Sequence, residues 1–153
     1  MKLVKSSYEI LPQAPGLEGV YKQIELAGRT CYKSHDKITE TSAEEFVNRM
    51  IKSGHGAMLE HGTIYLHTGW TLCSEETDLD KYGKNKFSRI AYSNLGAHVT
   101  TNLRVLVENN WLDDLKYLCE PTEYHYRRTT VKFICSRSTS HQLVRHRSMN
   151  FVA

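Results

Sequence analysis

Long apolar runs are absent from this sequence, and their absence excludes a transmembrane helix. A membrane-spanning helix needs roughly 20 mostly apolar residues, and no stretch of the chain approaches that length. The opening residues, MKLVKSSYEILPQAPG, contain one short apolar stretch and lack the apolar segment of a secretion signal. We therefore expect a cytoplasmic protein without a membrane partner.

Closely spaced cysteines are absent too. The four cysteines are Cys31, Cys73, Cys119 and Cys135, and no two of them form a CxxC pair. This spacing favours free, mostly buried thiols in a reducing compartment over a disulfide framework. Because no cysteine has an evident partner base, we predict that none is a catalytic nucleophile, and we predict no metal site.

A strong charge of one sign is the third absence. With histidine neutral, the 153-residue chain has a net charge of only +3, and it has no basic stripe with interleaved aromatic residues. Neither feature favours nucleic acid as a partner. No repeat, low-complexity segment or linker divides the chain, so we predict a single domain spanning residues 1–153.

Hydrophobic periodicity predicts a mixture of helices and strands. Apolar residues at helical spacing, with capping and turn residues at their ends, predict helices near 17–33, 42–53, 102–109, 111–119 and 138–147. Alternating β-branched and aromatic residues predict strands near 2–11, 62–72, 87–93 and 129–137. The last strand is expected to be partly buried on both faces. The overall prediction is an α+β fold in which a mixed or antiparallel sheet packs against helices.

The ends of two helices and one connection are predicted in more detail. Ser42 and Glu45 form a capping-box pattern at the start of the second helix. Thr100 or Thr101 is the expected cap of the helix that follows them. The segment SEETDLDKYGKNK, residues 74–86, is charged and rich in turn residues, so we expect a surface loop there.

Basic residues are concentrated in QLVRHR, residues 142–147. On a helix, Gln142, Arg145 and His146 lie at i, i+3 and i+4 and therefore share one face. An amide, a guanidinium and an imidazole on one face can bind a phosphate and a planar heterocycle. The alternative interpretation is that these basic residues complement the dipole at the C-terminus of a helix.

A second cluster lies in GHGAMLEH, residues 54–61. It contains His55, Glu60 and His61, whose spacing differs from that of the HExxH zinc motif. One interpretation is a loop fixed by a hydrogen bond between histidine and glutamate. Another is a loop whose imidazole lies beside a bound aromatic ligand.

A third cluster lies in ELAGRTCYKS, where Arg29 and Cys31 come near the end of the first predicted helix. A neighbouring arginine can favour a thiolate. Since no general base accompanies the pair, we interpret Cys31 as a small packed residue.

Taken in chain order, GRTCY (28–32), GHGAMLEH (54–61) and QLVRHR (142–147) resemble the motifs of the flavin-dependent thymidylate synthases. The resemblance implies a flavoprotein of nucleotide biosynthesis, a methyltransferase that converts dUMP reductively to dTMP. It implies FAD as cofactor, methylenetetrahydrofolate as one-carbon donor and NADPH as reductant. It also implies a homotetramer of α+β subunits, with FAD bound where subunits meet.

The same resemblance assigns roles to residues of this chain. His55 is implied to lie near the flavin ring. Ala57 stands where the family commonly has Ser or Thr, so only a backbone contact to FAD is implied there. The implied FAD contacts of the basic cluster are Arg145, His146 and Arg147. The implied dUMP contacts are Gln142 and Arg145.

Parts of the family pattern are unmatched. The sequence stops at Ala153, before the acidic residue, serine and arginine of the family's nucleotide-binding tail, and Asn150 stands where serine is usual. Catalytic residues are therefore expected beyond Ala153, and a chain that ends there is expected to be inactive in the full reaction. Residues 73–128 are expected to be a helical insertion, absent from the compact members.

Two alternatives remain open on the sequence. In the first, the chain is a non-catalytic nucleotide-binding or nucleic-acid-binding module that uses the basic helix over 138–147. In the second, it is a degenerate family member without turnover. Colour separates the first alternative from a flavoenzyme, because a purified flavoprotein is yellow.

Overall fold

Two small antiparallel sheets and a set of helices form the structure, a computed structural model that describes residues 5–70 and 77–145. The strands are β1 (Ser7–Leu11), β2 (Thr63–Thr68), β3 (Arg89–Ser93), β4 (Gly96–Asn102) and β5 (Thr130–Ile134). The α-helices are α1 (Gly16–Cys31), α2 (Ser42–Lys52), α3 (Gly56–Leu59), α4 (Leu103–Glu108) and α5 (Arg137–Leu143). Short 3-10 helices cover His35–Lys37, Asp80–Lys84 and Leu112–Tyr117. The predicted α+β fold is confirmed.

The larger sheet has two chemically different faces. Its strand order is β2-β4-β3, and both strand pairs are antiparallel. Directly opposed residues share a face, so Leu66 and Val99 lie on one face and Tyr65 and Thr100 on the other. Leu66 and Val99 are buried in one core with side chains of α1, α2 and α4. The opposite face carries mainly polar side chains, namely those of Thr63, Tyr65, His67, Arg89, Ser93, His98, Thr100 and Asn102.

The first two predicted helices are confirmed, and they approach each other closely at a glycine. A methyl group on Gly28 of α1 would lie 2.4 Å from Cζ of Phe46 in α2. The predicted capping box is wrong. Thr41 precedes α2, and Ser42 is already its first helical residue, so the Ser42 hydroxyl turns toward α1 and donates to the Glu25 carboxylate at 2.9 Å.

The predicted surface loop over 74–86 is wrong for its described part, residues 77–86. Leu79 and Tyr82 are fully buried in the core. The Tyr82 hydroxyl donates to the buried Asp114 carboxylate at 2.8 Å, and Lys81 pairs with the same carboxylate. A single 3-10 turn directs these two side chains into the core. The sequence did not reveal them, because the residues around them are highly charged.

β4 was not predicted, although all of its residues are buried and it is the central strand of the larger sheet. Its polar composition concealed it, since half-buried strands are recognised by apolar alternation. The predicted cap by Thr100 or Thr101 is therefore wrong. Asn102 caps α4, and its side-chain oxygen accepts from the Val105 amide at 3.1 Å.

The segment predicted to be an insertion, residues 73–128, supplies β3, β4 and α4 within its described part, and with them much of the core. Whether compact relatives lack this segment stays a prediction. The helix predicted near 111–119 is present as the 3-10 helix Leu112–Tyr117.

β1 and β5 form a separate two-stranded ribbon in antiparallel register. The predicted strands at both ends of the chain are confirmed over these residues, but β5 is not buried on both faces. Lys132, Phe133 and Ile134 are exposed, because β5 pairs with β1 alone. The ribbon leads directly into α5, which confirms a helix in the predicted terminal segment.

Candidate functional site

The GRTCY and GHGAMLEH clusters meet in the structure. The Tyr32 hydroxyl lies 2.9 Å from Nδ1 of His55, and this hydrogen bond joins the end of α1 to the loop before α3. His55 is exposed and occupies the position before the first residue of α3. Its backbone amide donates to the Met50 carbonyl, which ties the loop to the end of α2. Ala57, on α3, is exposed beside it. An imidazole is therefore held at the surface by a tyrosine.

Glu60 binds an arginine rather than a histidine. Arg104 of α4 donates to the Glu60 carboxylate, and its Nε lies 2.6 Å from Glu108 Oε1. These two carboxylates raise the pKa of Arg104, and the hydrogen bond that Arg104 donates to Glu108 contributes most. The expected histidine–glutamate bond is thus replaced by an ion pair that ties the GHGAMLEH loop to α4.

His61, the second histidine of that loop, is half-buried. Burial lowers its pKa, and the adjacent Glu60 charge acts in the opposite direction. Burial therefore favours the neutral form of His61.

Arg29 serves as a structural clamp between α1 and α2. Its Nε and Nη2 donate to Oε1 of the buried Glu25 at 3.1 Å and 3.0 Å, while Ser42 of α2 donates to the other carboxylate oxygen. The guanidinium also lies 4.9 Å from the centre of the Phe46 ring. These contacts hold one edge and one face of the Arg29 guanidinium. Cys31 is a half-buried free thiol two residues later, which agrees with its interpretation as a packed side chain.

The third cluster lies apart from these contacts. Gln142 belongs to α5 and Arg145 follows it, both side chains are exposed, and no residue of α5 is buried. Among the described residues, no side-chain hydrogen bond links Gln142 or Arg145 to the first two clusters. His146, Arg147 and Asn150 lie outside the described residues, as does Cys73.

Comparison with known proteins gives a partial match. No family model matches the chain, and no solved structure matches it. A protein named flavin-dependent thymidylate synthase, from Corynebacterium aurimucosum, is 31% identical to it over 70 residues. The aligned part is 44% of this chain and 28% of that relative. The similarity is real but covers little more than a quarter of the relative's length.

The polar face of the larger sheet carries a histidine network that sequence patterns did not predict. The rings of His67 and His98 are stacked with centres 4.4 Å apart, and the His125 ring meets His98 edge-on at 5.2 Å. His98 and His125 are buried. The three residues come from β2, β4 and the segment before β5, so only the tertiary fold unites them.

The hydrogen bonds of this network assign the tautomer of His125. The Thr122 amide donates to His125 Nδ1 at 3.0 Å, so the His125 proton lies on Nε2 and points to the Leu66 carbonyl at 3.1 Å. The Thr122 hydroxyl lies 3.0 Å from Nδ1 of His125 and 3.4 Å from Nδ1 of His98. On the other side of the His98 ring, Nε2 lies 2.8 Å from the Ser93 hydroxyl.

The surroundings of both buried imidazoles favour their neutral form. Burial lowers the pKa of His98, and the neighbouring His67 and His125 lower it further. Burial also lowers the pKa of His125, although its bond to the Leu66 carbonyl acts in the other direction. A proton added to Nδ1 of His125 would face the Thr122 N–H, so ionisation must break this turn.

Residues 5–70 and 77–145 contain neither a metal-binding cluster nor a membrane-spanning helix. No three histidine, cysteine or carboxylate side chains are grouped in a way that would hold a metal ion. No helix in these ranges has the length and apolar character needed to span a bilayer.

Proposed function

We propose that this chain is a flavin-dependent thymidylate synthase, or the part of one that contains its first three motifs. The observation that carries the proposal is the 70-residue similarity to the Corynebacterium protein of that name, together with the order of the three motifs. The reaction proposed is the reductive methylation of dUMP to dTMP. FAD, when bound, would supply the reducing chemistry, with NADPH as reductant and methylenetetrahydrofolate as one-carbon donor.

The contacts around His55 support a place for the flavin ring. A planar aromatic ligand needs a positioned, exposed polar group beside it, and the bond to Tyr32 supplies that positioning. The ion pair of Glu60 with Arg104 restrains the same loop from its other end. These residues would orient the ring system. Ala57 would contribute only its backbone, since it lacks a hydroxyl.

The basic cluster supports a place for the anionic groups. Arg145 is exposed after α5, and its guanidinium can form charge-assisted hydrogen bonds with a pyrophosphate. We propose that Arg145, His146 and Arg147 bind FAD and that Gln142 and Arg145 bind dUMP. Because α5 buries no side chain, we further propose that FAD lies between subunits of a homotetramer, where a second chain would enclose it.

The test is FAD affinity in the full chain after Arg145→Ala. Losing a charge-assisted hydrogen bond should weaken FAD binding by about 1.5–3 kcal/mol, roughly ten- to 150-fold. Arg137→Ala is the matched control, because Arg137 is exposed at the start of the same helix and outside the proposed site. Equal affinity in the wild type and the Arg145 variant would refute the assignment. An equal loss in both variants would indicate a non-specific charge effect and refute it as well.

A further inference from the structure

A cavity of about 240 Å³ opens on the polar side of the larger sheet, beside the start of α1. Its walls come from the loop before α1, from β2, and from the segment 118–129. The Gln13 side chain holds two of these walls together, because its amide donates to the Thr63 carbonyl at 2.8 Å and its oxygen accepts from the Thr63 amide at 2.9 Å. The cavity is therefore built from fixed backbone and is large enough for a small ligand group.

Positive charge exceeds negative charge on the described walls of this cavity, which carry two arginines and one carboxylate, that of Glu120. Arg127 and Arg128 line it, and Arg128 Nη2 donates to the Phe87 carbonyl at 2.7 Å. Within residues 5–70 and 77–145, neither arginine forms an ion pair, whereas Arg29 and Arg104 both do. Like charges on neighbouring residues of one wall repel each other, and an anion bound there would offset this repulsion.

The surroundings of Arg128 add to this imbalance. Although the residue as a whole is exposed, its guanidinium end is partly removed from water, and this burial lowers its pKa. Tyr65 and the Glu60 carboxylate act in the opposite direction, and the like charge of Arg89 lowers the pKa further. A negative group in the cavity would relieve both effects.

Two hydroxyls belong to the same face. The Tyr65 hydroxyl, on the cavity wall, accepts from the Arg128 amide at 3.3 Å and keeps its own proton to donate. Thr100 lies directly between Tyr65 and Arg89 in the sheet register, and its buried hydroxyl has no hydrogen-bond partner among the described residues. Buried hydroxyls are nearly always bonded. The orphaned hydroxyl thus lies on the same face of the sheet as the Tyr65 side chain.

We propose that this cavity binds a phosphoryl group, with Arg127 and Arg128 as its charged partners and the Tyr65 hydroxyl as a donor. Guanidiniums match the geometry of phosphate oxygens and can bind two of them at once. The proposal is independent of the function proposed above, and none of the cavity's described lining residues belongs to the basic cluster at residues 142–147. Its occupant is either free phosphate or the phosphate of a small monoester such as a nucleotide.

Glu120 allows a test of whether the bound group is negatively charged. Among the described residues that line the cavity it is the one acidic residue, and its carboxylate accepts from the Gly16 amide at 3.2 Å. A bound phosphate would be repelled by this charge. Glu120→Gln keeps an oxygen for the Gly16 bond while removing the charge, so it should strengthen phosphate binding.

The experiment titrates the full chain with inorganic phosphate and, separately, with a nucleoside monophosphate, at constant ionic strength. Backbone amide NMR signals locate the bound anion. The signals of Gln13, Thr63 and Tyr65 should shift from the first additions of each probe, and these shifts should saturate. Arg127→Met should weaken binding by about tenfold or more. Arg137→Met, on exposed α5, is the matched control and should bind as the wild type does.

The outcomes separate the proposal from its rivals. Shifts at the cavity with both probes indicate a phosphomonoester site, and shifts with inorganic phosphate alone indicate a free-phosphate site. Wild-type affinity in Arg127→Met, or weaker binding in Glu120→Gln, would overturn the proposal, as would saturation with no shift at the cavity. Because Arg128→Met also removes the Phe87 contact, the Arg127 and Glu120 variants provide the decisive comparison. FAD is not a probe here, so a failed flavin test leaves this result unaffected.

Discussion

The buried histidine network predicts how stability depends on pH. The pKa values of His98 and His125 are lowered in the folded protein from the ordinary value of 6.5. As the pH falls below about 6.5, these two histidines therefore become protonated in the unfolded chain before they do so in the folded chain. The stability present at neutral pH should decrease through this range and level off once the folded state is also protonated.

The size of the effect follows from the number of protons. Each group that is protonated only in the unfolded state lowers the free energy of unfolding by at most about 1.4 kcal/mol per pH unit. His98 and His125 together therefore set a limiting slope of about 2.7 kcal/mol per pH unit. His61, whose pKa burial also lowers, can add a further part.

Chemical denaturation between about pH 8 and pH 5 measures this slope. His125→Gln should reduce it, because an amide in that position does not titrate while it can still donate to the Leu66 carbonyl. The variant will also be less stable at neutral pH. His141→Gln, at an exposed position on α5, is the control and should keep the wild-type slope. Stability that is constant or rises on acidification, or an unchanged slope in His125→Gln, would refute the neutral assignment of the network.

Two further predictions concern the helices. Gly28→Ala should destabilise the fold by about 1–3 kcal/mol, because the added methyl would overlap the Phe46 ring. Thermal unfolding measures this loss. Gly69→Ala is the control, since the nearest atom to its added methyl would be 3.8 Å away. Equal melting temperatures for the two variants would contradict the close contact of α1 with α2. Asn102→Ala should cost about 1 kcal/mol through loss of the cap on the Val105 amide, while Asn102→Asp should retain most of that stability. Equal losses in both variants would show that the cap contributes nothing.

The sequence predicted those elements whose apolar residues recur at a regular spacing. α1 and α2 are amphipathic, so their periodicity sufficed. β4 failed this criterion because it places polar side chains, including the buried His98, on one face of a buried strand. Tyr82 failed it because a core residue that lies within a charged turn belongs to no periodic pattern.

The candidate site was predictable in part for a related reason. The motifs identified His55, Glu60 and Arg145, because such residue types at such spacings are visible along the chain. The partner of Glu60 was not visible, since Arg104 is 44 positions away. The histidine network and the cavity beside Tyr65 combine residues from separate strands and loops, and only tertiary contacts bring such residues together.

The most direct test of the proposed function is FAD binding by the full chain, measured through quenching of flavin fluorescence with and without dUMP. We predict saturable binding that Arg145→Ala weakens and that Arg137→Ala leaves unchanged. Folded protein that binds no FAD, with dUMP present or absent, would contradict the proposal that this chain belongs to a flavin-dependent thymidylate synthase.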